Sequence, residues 1–105
     1  MARIELAPEV INDLKRFLDH MDSYASPAPQ RRIADLIDAL DILTHSPLIG
    51  RPVGHSLREL IIGRRPNIYL ALYRYIERID TAFILALRHQ AEIAYKRDKP
   101  REPGG

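Results

Sequence analysis

At 105 residues, 46% hydrophobic and 29% charged, the chain has the size and composition of one soluble globular domain with a single modest core. It contains no cysteine, which excludes disulfides, thiolate nucleophiles and cysteine-ligated metals. The formal net charge is only +2, no apolar run approaches the ~20 residues of a membrane-spanning helix, and the first residues lack a signal-peptide core, so a cytoplasmic domain with no membrane partner is expected.

In chain order, Arg3 to Leu6 alternates charged and apolar residues, which predicts a short strand with Ile4 and Leu6 inward. Pro8 suits the first position of a helix, where a missing N–H costs nothing. Val10, Ile11, Leu14, Phe17, Leu18 and Met21 then recur at three- and four-residue steps, predicting a helix over residues 8–22 with one apolar stripe. The link from Ser23 to Pro29 holds two prolines and two serines and must be irregular. Ile33, Leu36, Ile37, Leu40 and Leu43 repeat the stripe in a second helix that should stop near His45, before Ser46 and Pro47. Asp35, Asp38 and Asp41 form its solvated face. Residues 47–55, PLIGRPVGH, carry two prolines and two glycines and read as a loop.

Three strand-like runs follow: Leu57 to Ile62, Ile68 to Ile76, and Thr81 to Leu87. The gaps between them are too short for a parallel crossover, so they predict an antiparallel meander. Two helices with apolar stripes need such a sheet to lie on. The predicted fold is therefore α+β: an N-terminal strand, then an antiparallel two-helix hairpin packed on an antiparallel β-meander. Alternation puts Tyr69, Ala71, Tyr73 and Tyr75 on one face of the middle strand, assigned to the helices, and Ile68, Leu70, Leu72, Arg74 and Ile76 on the other. Both faces are largely apolar, which implies that the second meets more of this chain or another polypeptide. On the last strand Phe83, Leu85 and Leu87 should share one face and Ala82, Ile84, Ala86 and Arg88 the other. Residues 97–105 offer no large apolar group to bury and read as a disordered basic tail behind a domain of residues 1–96.

Charge is unevenly spread: five Lys/Arg against eight Asp/Glu in residues 1–46, and eleven against six in residues 47–105. The basic half is the sheet half, compatible with an anionic partner there. Arg51, Arg58, Arg64 and Arg65 line the loop and hairpin margin as candidate contacts to a target or inhibitor. Leu70, Leu72, Arg74 and Arg88 are the corresponding candidates on the sheet face. The four histidines fit no metal-ligand spacing, so neither a metal nor a cofactor is expected.

Four segments in this order form a pattern: IELAPEV with DL from Ile4 to Leu14, SPLIGRPV from Ser46, LRELIIG from Leu57, and YLALYRY with DTAFILALRHQ from Tyr69 to Tyr95. On them the sequence resembles the RelE/ParE superfamily of type II toxin–antitoxin toxins, nearest in pattern to the branch labelled ParE or plasmid stabilisation proteins. The resemblance implies a growth-inhibiting toxin wrapped by a cognate antitoxin, assembled as a homodimer or as a heterotetramer with that antitoxin. It implies one of two targets: RelE-like members cut mRNA on the ribosome without a metal, and ParE-like members poison DNA gyrase.

Metal-free RNA cleavage needs a base, an acid and cations for the phosphate charge. RelE-like nucleases are similar to one another in carrying an arginine on the middle strand where this chain has Leu70, and a leucine cannot bind phosphate. Close relatives in the ParE-labelled branch often carry a further arginine where this chain has Ala91. Arg88, His89 and Tyr95 remain as the catalytic candidates of the ribonuclease reading, with a salt bridge or antitoxin contact the plainer role for Arg88. The sequence therefore favours a toxin that binds a large target, gyrase first, without chemistry of its own. A ribosome-dependent endonuclease and a non-toxic antitoxin-binding relic are the alternatives.

Overall fold

The computed structural model describes residues 1–23, 29–64 and 67–90. The chain runs β1 (Arg3–Leu6), α1 (Pro8–Ser23), α2 (Pro29–Leu40), a 3-10 turn (Asp41–Thr44), β2 (Arg51–Gly54), β3 (Leu57–Arg64), β4 (Asn67–Ile76), a second 3-10 turn (Glu77–Ile79) and β5 (Thr81–His89). The five strands make one sheet in the order β1-β5-β4-β3-β2. β3, β4 and β5 form the expected antiparallel meander. β1 joins it in parallel beside β5, as the helical crossover between them allows.

Both helices cover one face of the sheet, α1 over β5 and α2 over β3. Val10 and Phe17 of α1, Leu36 and Leu40 of α2, and Leu43 of the 3-10 turn meet Leu60, Ile62, Ala71, Tyr73, Ala82, Ile84 and Leu87 of the sheet in one core. The tyrosine-bearing face of β4 is thus the helix-facing one, with Tyr73 and Ala71 fully buried and Tyr69 and Tyr75 packed against the cluster. Among the described residues no helix is long and apolar enough to cross a membrane.

Several expectations change in detail. The predicted loop of residues 47–55 contains β2, because an edge strand needs its backbone groups on one side only and tolerates Pro52. α2 ends at Leu40 and tightens into a 3-10 turn that carries Leu43 inward, so the α-helix stops short of His45. Ile11, Ile37 and Leu6 are exposed, since each stripe is narrower than its apolar residues and β1 is too short to bury its end.

The largest change is on β5. Its register against β4 slips between Leu72 and Tyr73, so that Leu72 faces Ala86 while Tyr73 faces Ile84, leaving Leu85 as the extra residue of a bulge. Strict alternation breaks there. Ala82, Ile84 and Leu87 all enter the core, and Phe83, Leu85 and Ala86 lie half-buried on the open side. The tail from residue 97 and the centre of the interhelical link lie outside the described residues.

Candidate functional site: the open sheet face and the capped β5 edge

Antiparallel partners share a face, so the register builds the uncovered side of the sheet in three rows across β3, β4 and β5. Ile61, Leu70 and Arg88 form one, Glu59, Leu72 and Ala86 the next, and Leu57, Arg74 and Phe83 the third. Leu57, Leu70, Leu72, Phe83 and Leu85 are half-buried, and Ile61 is 62% exposed. Among the described residues no element packs on this side, so the expected second apolar face exists as an uncovered platform.

Its cations are tied to differing degrees. Arg51 of β2 bonds the Glu59 carboxylate at 2.6 Å while its guanidinium stays largely in water. Arg58 turns to the helix side and donates to the carbonyls of Leu48 and Gly50 at 2.9 and 2.8 Å, which holds the loop before β2. Tyr73 completes that clamp: its hydroxyl accepts from the Gly50 N–H and donates to the Pro47 carbonyl, both at 2.8 Å. Arg74 reaches the His55 carbonyl at 3.3 Å, but its buried Nε has no acceptor among the described residues. Arg64 sits apart, with Arg32, Asp35, Leu36, Ile62 and Tyr69, on a cleft of about 450 Å³ between α2 and the end of β3 and β4. Arg65 and Tyr95 lie outside the described residues.

Arg88 finds a partner that sequence reasoning missed. β1 ends opposite Ile84, so the remaining edge of β5 has no neighbouring strand. The carboxylate of Asp13 on α1 fills the gap: its Oδ2 accepts the Leu87 N–H at 3.0 Å and its Oδ1 accepts from Arg88 at 2.8 Å and Arg16 at 2.9 Å. The same Arg88 nitrogen donates to the Leu87 carbonyl at 2.9 Å. Side chains thereby satisfy the backbone groups that another strand would have paired. Asp13 was legible as a signal, a carboxylate on the apolar stripe between Val10 and Phe17, since charges are almost never fully buried unless paired.

Arg88 and His89 do not converge. Arg88 shares its row with Leu70, whereas His89 pairs with Tyr69 on the helix side, ring edge to face at 4.9 Å, with Phe17 beyond at 5.2 Å. Arg16 lies 5.2 Å from the Phe17 ring centre. His45 and His55 are exposed on loops, and among the described residues no three His, Asp or Glu side chains gather to hold a metal. At the far end of β4, Tyr75 donates to Asp80 at 2.5 Å, and that bond to a carboxylate raises the phenol above its ordinary value.

The fold has close counterparts. The chain is similar to a chromosomal ParDE toxin–antitoxin system protein from P. aeruginosa, with TM-score 0.71, 20% identity, and 85% of this chain and 96% of that one covered. It is similar to a chain of the RelBE2 toxin–antitoxin complex from Mycobacterium tuberculosis, with TM-score 0.60, 22% identity and coverages of 84% and 96%. A chain of the intact E. coli RelBE complex gives TM-score 0.59, 13% identity and coverages of 83% and 94%. At these identities the likeness is one of fold. A comparison with curated protein sequences gives no match. The family described as the ParE toxin of the type II toxin–antitoxin system parDE matches residues 4–94, which takes in β1 from its second residue, both helices and the rest of the sheet with its open face and capped edge. By that match the chain belongs to the ParE toxin family of type II toxin–antitoxin systems.

Proposed function

We propose that this toxin works in the cytoplasm by binding a large macromolecular target, DNA gyrase first, with no covalent chemistry of its own, and that a cognate antitoxin silences it by lying over the open sheet face. The observation that carries the first half is the row Ile61, Leu70, Arg88 of that face. A ribonuclease of this superfamily would want a phosphate-binding cation at position 70, and this chain has a leucine there, between Ile61 and Arg88. The arginine beside it is committed to Asp13 and to its own strand. Arg88 and His89, two of the three candidates for cleavage, start from opposite faces of β5, which supports a binding role over a shared catalytic centre.

The antitoxin half is supported by the uncovered apolar platform and by the toxin–antitoxin complexes in which proteins of similar fold occur. An apolar side of this extent on a monomer marks an interaction site.

Three assays separate the readings. Purified toxin should block gyrase supercoiling or trap gyrase–DNA cleavage complexes, and inactivity in both would remove gyrase as the target. Primer extension on translated mRNA after brief induction should show no codon-phased cuts. Cuts that vanish in Arg88→Ala would establish the endonuclease instead. Unaltered growth on expression without antitoxin would leave a non-toxic antitoxin-binding protein.

A further inference from the structure

Arg88 sets out from the open side of the sheet, in the row of Leu70 and Ile61. Asp13 belongs to α1, which covers the other side, and its Oδ2 accepts the Leu87 N–H at the edge of β5 that β1 leaves free. The Arg88 guanidinium therefore comes round that edge to reach Asp13. One nitrogen, Nη1, makes all of its hydrogen bonds among the described residues, at 2.8 Å to Asp13 Oδ1 and 2.9 Å to the Leu87 carbonyl. Two acceptors at one end of a planar group fix the direction of the other end. Nε and Nη2 bond nothing among the described residues, and 39% of the side chain stays exposed. That is the pair of parallel donors to which a carboxylate binds in bidentate fashion. The Asp13 carboxylate is shared with Arg16, so it does not neutralise Arg88 in full.

We infer that Asp13 is a positioning residue for target binding: it fixes the Arg88 guanidinium at the β5 edge with Nε and Nη2 presented to solvent, where an acidic side chain of the target protein closes on them. The inference rests on the reading of this protein as a toxin that works by binding, and adds which charge the target meets and what aims it. An arginine already held in one geometry loses less freedom when a partner closes on it. Two parallel donors on a permanent cation select a carboxylate over a neutral acceptor.

The test uses the full-length toxin and gyrase without DNA, with dissociation followed by biolayer interferometry and each toxin variant melted in parallel. Dissociation is the informative rate, since removing the Asp13 charge would by itself speed encounter with an anionic group. Arg88→Ala should dissociate about 10-fold faster or more. Asp13→Asn keeps an oxygen for the Leu87 N–H but loses the charge that holds Arg88. It should dissociate about 3- to 10-fold faster, the scale of ordering one long side chain. Joined to Arg88→Ala, Asp13→Asn should add less than about twofold, because the group it aims is gone. A purely structural Asp13 would cost the same factor in both backgrounds.

Equal factors for Asp13→Asn with and without Arg88 would overturn the inference, as would an Asp13→Asn toxin that dissociates like the parent. Arg88→Ala within about twofold of the parent would overturn it too, since the target would not be touching that guanidinium. Variants that differ from the parent only on gyrase–DNA complexes would put the anionic group on the DNA and overturn the assignment to an acidic side chain. A parent toxin that leaves gyrase untouched removes the target reading itself, and the inference with it.

Discussion

The Asp13 carboxylate gives the sharpest quantitative expectation. In Asp13→Ala the Leu87 N–H, fully enclosed in the core, loses its acceptor, and an unsatisfied buried donor costs about 1–3 kcal/mol. The arginine contacts add less. Arg88 and Arg16 keep 39% and 45% of their side-chain surface exposed, so water screens both pairs and each contributes about 0.2–1 kcal/mol. The sum is about 1.4–5 kcal/mol, a large share of the ~5–15 kcal/mol expected for a domain of this size. Arg88→Ala leaves Asp13 with Leu87 and Arg16 and should cost about 1 kcal/mol, and Arg16→Ala less. Asp13→Asn keeps an oxygen for the Leu87 N–H and should fall between. Equilibrium urea unfolding measures all four, with the midpoint shifting at constant slope. If Asp13→Ala costs under ~1 kcal/mol, or Arg88→Ala costs as much as Asp13→Ala, the account of the β5 edge is wrong.

Four further outcomes follow from other contacts of the fold. A methyl group on Gly50 would lie 2.5–2.9 Å from the Tyr73 ring and hydroxyl, so Gly50→Ala should lower stability by about 1–3 kcal/mol in thermal melts. Tyr73→Phe, which strands the Gly50 N–H, should lose about 1–3 kcal/mol by the same measurement. His55 and Ser56 both have positive φ at the β2–β3 turn, where Asn and Gly are favoured, so the pair His55→Asn with Ser56→Gly should raise stability by about 1 kcal/mol or more. The Tyr75 phenol is held above its ordinary value by its bond to Asp80, so its contribution is complete below pH ~10 and is lost as pH rises through the folded-state value. Parallel alkaline denaturation series should show a smaller loss of stability above that pH in Tyr75→Phe, and superimposable losses would count against the bond.

Much of the fold was legible because local signals agreed. Turn chemistry at Gly63 to Asn67 and the short link after Ile76 left the last three runs no option but antiparallel pairing. Two apolar stripes of matched length demanded a sheet beneath them, and the tyrosine face of β4 was assigned to the core where Tyr73 now lies. β2 was hidden by Pro52 and its glycines, whose meaning depends on whether a strand is central or at an edge. The bulge at Leu85 was equally hidden, since alternation is read within one strand and a slip in register exists only between two.

For the site, residue types told which side chains could carry charge, and the family resemblance that a leucine stands where a nuclease would place a cation. They could not tell which of those charges were already spent. Asp13 and Leu87 lie 74 positions apart, as do Tyr73 and Gly50 by 23, and such partnerships arise only when the chain closes on itself. What the sequence by itself determined was the two helices, four of the five strands and the presence of a second apolar face. What tertiary structure alone decided was how far each arginine on that face is bonded within its own protein, because hydrogen-bond satisfaction depends on distances that no local pattern encodes.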